Sequence, residues 1–121
     1  MTILEQHQAV ESENNIRPIR TAEEYLNSLR GRDLNVYLFG EKVPEIVDHP
    51  MIRPSINAVA QTYELALREP ELASTISPFT GERINRFLHI ATNTEDLVRQ
   101  NKMQRKLGQL TGTCFQRCVG M

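Results

Sequence analysis

Thr94-Glu-Asp-Leu-Val-Arg-Gln-Asn-Lys-Met-Gln-Arg-Lys-Leu-Gly-Gln-Leu-Thr-Gly-Thr-Cys-Phe-Gln-Arg-Cys118 is the stretch on which the reading of this chain turns. Thr94 can cap a helix with its side-chain oxygen, and Glu95 and Asp96 then place negative charge at the positive end of the helix dipole. At about 100° per residue, Met103, Leu107, Leu110, Cys114 and Cys118 fall within a sector of about 80°, so both cysteines continue an apolar stripe and are expected to face inward. A single helix from Thr94 to about Cys118 follows, roughly 35–40 Å long at about 1.5 Å per residue. Gly108 and Gly112 lie one turn apart on a neighbouring face, and each costs a helix roughly 1 kcal/mol against alanine. Such a cost implies a packing reason, namely the close approach of another backbone or a flat ligand.

Cys114 and Cys118 are the only cysteines of the chain. In a helix, positions i and i+4 project from one face, so the two sulfurs can address one object. Two thiolates make half of a first coordination shell, since structural zinc and cubane iron–sulfur sites usually take four protein ligands. The missing ligands would come from another part of a larger protein or from another chain. C-x-x-x-C alone describes two small buried hydrophobes equally well, because free cysteine is among the most buried residue types. His7, His49 and His89 are far away in sequence and read as surface or loop imidazoles, with His49, before Pro50, a turn residue first. Lys102, Arg105 and Arg117 read as solvated helix charges.

Upstream, residues 1–20 are polar and without apolar periodicity, which describes a flexible N-terminal arm. The packed domain is expected over 21–121. Thr21-Ala-Glu-Glu24 has the form of a capping box, and Gly31 supplies a stop, giving a short helix from Ala22 to Arg30. Asn35-Val-Tyr-Leu-Phe-Gly-Glu-Lys-Val43 sets β-branched and aromatic residues on either side of Gly40-Glu41, a tight hairpin turn. Asp48-His-Pro-Met-Ile-Arg-Pro54 is a proline-bracketed bend. After it, Ile56, Val59, Ala60, Tyr63, Leu65, Ala66 and Leu67 recur near helical period and predict a helix that ends before Pro70 and is buried on more than one side. Pro70 to Ser77 suggests another short turn of helix, Ser77 to Arg83 a turn, and Ile84 to Ile90 an extended segment.

Composition narrows the class. With 121 residues, 40% hydrophobic and 24% charged, the chain suits one globular domain. A formal charge of −1 provides no field to gather phosphates, which argues against nucleic acid as a partner. No run approaches the ~20 apolar residues of a bilayer span, and the first residues lack the pattern of a signal peptide, so no membrane partner is expected and the cytoplasm is the expected compartment. There, two cysteines are reduced thiols or metal ligands rather than a structural disulfide.

Longer words in the sequence carry a more specific message. Lys102-Met-Gln-Arg105, Leu107-Gly-Gln109 and Cys114-Phe-Gln-Arg-Cys-Val-Gly-Met121 closely resemble the N-terminal part of the flavin-linked 4-hydroxyphenylacetate 3-hydroxylase family. So do Ala22-Glu-Glu-Tyr-Leu-Asn-Ser-Leu-Arg30, Val36-Tyr-Leu-Phe-Gly-Glu-Lys42, Val47-Asp-His-Pro-Met-Ile-Arg-Pro-Ser-Ile-Asn57, Thr62-Tyr-Glu-Leu-Ala66 and Ile84-Asn-Arg-Phe87. The resemblance covers essentially all of 21–121. Its cysteine run points to the dehydratase branch, because the monooxygenases of the family have no such pair.

That resemblance implies a mainly α fold: the incomplete N-terminal helical domain of an acyl-CoA dehydrogenase-like flavoprotein, with a small β-hairpin and a long C-terminal helix, in a tetrameric protein. It implies Cys114 and Cys118 as ligands of a 4Fe-4S cluster whose remaining histidine and cysteine come from later sequence, with FAD beside it and an acyl-CoA as substrate. Gln116, between the cysteines, matches a glutamine next to the family's active site. The implied reaction is dehydration of 4-hydroxybutyryl-CoA to crotonyl-CoA, with isomerisation of vinylacetyl-CoA. Flavin one-electron chemistry makes the unactivated C3 hydrogen removable, and the cluster serves as Lewis acid for the departing hydroxyl. Alone, the chain is expected to be inactive. Two other readings fit the same residues: a truncated or split remnant that only docks, and a small metal- or redox-sensing module built on the two thiols.

Overall fold

A computed structural model describes residues 18–114. Among the described residues there are four α-helices: α1 (Ala22–Leu29), α2 (Arg53–Arg68), α3 (Pro70–Ala73) and α4 (Thr94–Thr111). Two antiparallel hairpins are set between them, β1 (Val36–Leu38) with β2 (Glu41–Val43) and β3 (Ser74–Ile76) with β4 (Arg83–Asn85). About half of the described residues are helical, which agrees with a mainly α domain.

The capping reading of α1 holds. Thr21 Oγ1 accepts from the Glu24 N–H at 3.1 Å, while the Glu24 carboxylate reaches one residue further back than a capping box requires, to the Arg20 N–H at 2.8 Å. Gly31, at φ 66°, carries the chain away from the helix. Arg30 then makes a two-pronged contact with Asp48 at 2.8 and 2.9 Å, which ties the end of α1 to the loop before α2. That hydrogen-bonded guanidinium holds the Asp48 carboxyl below its usual range.

The first hairpin differs from expectation in its turn, and the second is not predicted as a hairpin from sequence. In the first, Leu38 pairs with Glu41, so the turn residues are Phe39 and Gly40 rather than Gly40 and Glu41. Both have positive φ, 51° and 81°, as a type I′ turn requires. The second hairpin occupies sequence read as a helical turn over Pro70 to Ser77, a turn over Ser77 to Arg83 and an extended Ile84 to Ile90, of which the turn is the hairpin's loop. Only Pro70–Ala73 is helical; Ser74–Ile76 pairs with Arg83–Asn85, and Arg86–Leu88 is a 3-10 turn rather than a continuation of the strand. Asn85 Oδ1 starts that turn by accepting from the Phe87 N–H at 3.1 Å.

Burial on α2 explains how the layers meet. Ile56 and Ala60 lie on one face and Ala58 and Leu65 on nearly the opposite one, so α2 is buried on two sides as its apolar pattern predicts. α1 covers one side, where Tyr25 stacks on Tyr63 with ring centroids 5.3 Å apart. On the other, Ala58 and Leu65 join Ala73 of α3 and Met103 and Leu107 of α4 in the main core, with Phe87 packed against it. Leu65, Met103 and Leu107 are fully buried. At roughly 1.5–3 kcal/mol for each such side chain, this small cluster is what fixes α4 against α2 and α3.

Arg86 has no counterpart in the sequence reading. It is buried, with Nε donating to the Leu72 carbonyl at 2.8 Å and Nη2 donating to the carbonyls of Ser74 at 2.7 Å and Glu71 at 3.3 Å. A helix of four residues leaves its last carbonyls without intrahelical partners, and the guanidinium satisfies those of Glu71 and Leu72. Burial lowers the Arg86 pKa, and the nearby charge of Arg99 acts in the same direction. No helix among the described residues is long and apolar enough to cross a membrane.

Candidate functional site

The site is best built from the C-terminal end of α4, where the chain approaches Cys114. Leu107 is fully buried, but Leu110, one turn nearer the cysteines, is 44% exposed. The helix ends at Thr111, and Gly112 adopts the left-handed conformation at φ 67°, ψ 12°, its N–H bonded to the Gly108 carbonyl at 2.9 Å. This is the αL form of helix ending. It corrects the expectation of one helix to Cys118: α4 has 18 residues, about 27 Å at 1.5 Å per residue. The apolar stripe stops with it. Cys114 is a free, exposed thiol on the segment beyond the helix rather than an inward-facing residue on it.

Both glycines now have separate reasons. Gly112 supplies a positive φ, and a Cβ built there would meet nothing within 4 Å. Gly108 lies within the helix, where a Cβ would come 3.3 Å from the Thr113 carbonyl oxygen. The close-approaching backbone expected from the glycine pair is therefore the chain's own, folded back after the turn. Thr111 Oγ1 donates to the Leu107 carbonyl at 2.8 Å and accepts from the Thr113 N–H at 3.3 Å.

Cys118, Gln116, Arg117 and His7 lie outside the described residues. Among those described, no three histidine, cysteine, aspartate or glutamate residues come together as a metal-binding group. The donor that is described nevertheless suits an iron–sulfur cluster: Cys114 is a soft sulfur ligand, and it is exposed and free of any disulfide. Cys114 takes no part in the core formed by Leu65, Met103 and Leu107.

Each described histidine is engaged locally. His49 Nδ1 accepts from the Met51 N–H at 3.2 Å, as its turn reading implies. His89 Nε2 stands 3.2 Å from Asp96 Oδ2, an arrangement that the sequence reading missed. Asp96 also accepts from the Thr92 N–H at 3.0 Å, and its own N–H donates to Asn93 Oδ1 at 2.9 Å. The cap of α4 is thus Asn93, one residue before the Thr94 expected. Hydrogen bonds from the Thr92 backbone first, and then from His89, hold the Asp96 carboxyl below its ordinary range. Of the helix cations, Lys102 and Arg105 are exposed, as expected. Lys106 approaches Glu69 at 3.7 Å.

A recess of about 60 Å³ between the end of α1 and β2, lined in part by Leu29, Leu34, Val43 and Ile46, is too small for a flavin or an acyl-CoA, which need several hundred cubic ångströms. Several large apolar side chains stand outside the core: Phe39 is 82% exposed, Phe79 80% and Leu88 71%.

The sequence pattern of the family described as 4-hydroxyphenylacetate 3-hydroxylase N terminal matches residues 21–121. The chain belongs to this family. Within the 4-hydroxyphenylacetate 3-hydroxylase family it is 56% identical over 106 residues to the 4-hydroxybutyryl-CoA dehydratase/vinylacetyl-CoA-Δ-isomerase of Clostridium aminobutyricum, covering 85% of this chain and 21% of that protein. To the oxygenase component of 4-hydroxyphenylacetate 3-monooxygenase from Klebsiella oxytoca it is 39% identical over 89 residues, covering 69% of this chain and 16% of the relative. Solved structures divide the same way. An oxygen-tolerant archaeal 4-hydroxybutyryl-CoA dehydratase from N. maritimus superposes with a TM-score of 0.79 at 74% identity, over 85% of this chain and 21% of its own. The oxygenase component of 4-hydroxyphenylacetate 3-monooxygenase, complexed with FAD and 4-hydroxyphenylacetate, gives 0.63 at 28% identity, over 76% of this chain and 19% of its own. The chain spans about a fifth of the length of the dehydratases it matches.

Proposed function

We propose that this chain is the N-terminal part of a 4-hydroxybutyryl-CoA dehydratase that forms crotonyl-CoA and also isomerises vinylacetyl-CoA. The observation that carries this reading is the gap in identity, 56% and 74% to two dehydratases against 39% and 28% to two oxygenases. A domain kept only for the flavin fold they share would have no reason to lie so much nearer one branch.

In this reading Cys114 and Cys118 are thiolate ligands of a 4Fe-4S cluster. Cys114 suits that task because the αL turn brings it to the surface, where a group held by other parts of the protein can meet it. When bound, the cluster supplies a Lewis acid for the substrate hydroxyl and FAD supplies one-electron chemistry. Gln116 contributes a polar contact beside the ligands. The remaining cluster ligands and the flavin site belong to sequence corresponding to the other four-fifths of the dehydratases. The whole would have an acyl-CoA dehydrogenase-like architecture, act on a coenzyme A thioester in the cytoplasm and assemble as a tetramer. The exposed Phe39, Phe79 and Leu88 support a domain that packs against further protein, since side chains of this size are costly to leave in water.

The test joins residues 1–121 to the C-terminal remainder of a dehydratase relative and reconstitutes it anaerobically with iron, sulfide and FAD. The joined protein is expected to show the broad visible absorption of a 4Fe-4S cluster and to form crotonyl-CoA; the 121 residues alone are expected to do neither. Cys114→Ala or Cys118→Ala should abolish the cluster. A double variant that still assembled a full cluster would sink the proposal.

A further inference from the structure

Between the buried end of α4 and Cys114 lie only six residues, and three of them have restricted identities for three different reasons. Gly112 holds a left-handed conformation that L side chains rarely adopt. Space is not its constraint, because a Cβ there would meet nothing. At Gly108 space is the constraint, since a Cβ would press on the Thr113 carbonyl oxygen at 3.3 Å. Thr111 contributes its hydroxyl. Because that hydroxyl donates its one hydrogen to the Leu107 carbonyl, the 2.7 Å contact with Thr113 Oγ1 must be donated by Thr113. The Thr113 N–H bonds to the same oxygen at 3.3 Å. These contacts meet on Thr113, the residue just before Cys114, and through the carbonyl of Leu107, whose side chain is fully buried, they tie it to the end of the core.

Resting on the dehydratase reading above, we propose that Gly108, Thr111 and Gly112 form a positioning turn that delivers the Cys114 thiolate to the cluster. The alternative conformation makes the role plain. Were Gly112 right-handed, the helix would run on and place Cys114 on the Met103–Leu107 stripe, directed at the core. The left-handed residue takes it off that stripe. Whether Cys114 is a buried hydrophobe or an accessible ligand is therefore set at Gly112, and Thr111 and Gly108 lock the choice. Residues that orient a metal ligand without touching the metal commonly change its affinity about 10- to 100-fold when replaced.

The experiment uses the joined protein defined above, with iron content, resistance of the iron to a chelator, the electron paramagnetic resonance spectrum and the midpoint potential of the cluster as readouts. Gly112→Ala should lower chelator resistance about 10- to 100-fold, or shift the spectrum and potential of what cluster remains. Gly112→Asn should restore the original behaviour, because asparagine tolerates the left-handed region. Thr111→Val, which keeps the side-chain shape but removes the hydroxyl, should shift the midpoint potential while iron content stays near that of the unaltered protein. Should Gly112→Ala fail to fold, as far-UV circular dichroism would reveal, the potential of Thr111→Val decides. Gly112→Ala with unchanged iron content, spectrum and potential overturns the positioning role, as does an unshifted Thr111→Val when the alanine variant cannot be read. Failure of the dehydratase reading looks different: the unaltered protein would then hold no more iron than its Cys114→Ala and Cys118→Ala variants.

Discussion

The two ends of α4 are held by opposite means. At its start, side chains do the holding: Asn93 accepts from the Asp96 N–H, and Asp96 is in turn fastened to Thr92 and His89. At its finish the backbone does it, through the left-handed Gly112 and its N–H to the Gly108 carbonyl, with a single hydroxyl in support. The first arrangement anchors a helix to its own domain. The second ends the helix in the left-handed conformation, and Cys114 follows two residues later, off the helix. Helix ends can thus be fixed by different means: one by side chains that bind each other, the other by the backbone conformation of a single glycine.

The largest effect that could break this contrast is expected at Leu107, in the last third of the helix. Leu107→Ala removes a fully buried side chain between α2, α3 and the start of the αL turn. A loss of about 2–5 kcal/mol in urea unfolding is expected, the usual range for a large-to-small change in a core. A loss well under about 1 kcal/mol would mean that the cluster around Leu65, Met103 and Leu107 does not hold α4.

Asn93→Ala should have a smaller effect, about 1 kcal/mol, as replacement of a good N-cap does. Protection from hydrogen exchange should fall in the first turn of α4 and not around Gly108–Gly112. Equal loss of protection at both ends would erase the distinction between them.

Smallest of all is a pH effect confined to the start of the helix. The Asp96 carboxyl lies below its ordinary range in the folded chain, so its contribution to stability is fully present above the unfolded value near pH 4 and is lost as pH falls through the folded value. Thermal unfolding followed from pH 6 downward should therefore show a shallower acid decline for Asp96→Asn than for the unaltered chain. Identical declines would remove Asp96 from the clamp.

Sequence alone determined what depends on near neighbours. Thr21 caps α1 and acidic residues occupy the first turn of α4 because such bonds join residues three or four apart. The double-sided burial of α2 was legible for the same reason, its periodicity being a local property. Family membership was legible as well, carried by long runs of particular residues spread over 21–121. Tertiary structure decided the remainder. The strands Ser74–Ile76 and Arg83–Asn85 need each other, and neither announces its partner. The guanidinium of Arg86 is fixed by carbonyls 12 to 15 residues upstream, beyond the reach of any periodic pattern. Most consequential is the end of α4. Glycine accepts right- and left-handed backbone alike, so Gly112 in sequence is equally a weak helical residue and a stop. Leu110, half exposed, brings little burial to reward another helical turn, while Thr111 and Thr113 bond across the left-handed one. Those contacts form across the left-handed turn, with which Cys114 leaves the helix that its spacing had promised.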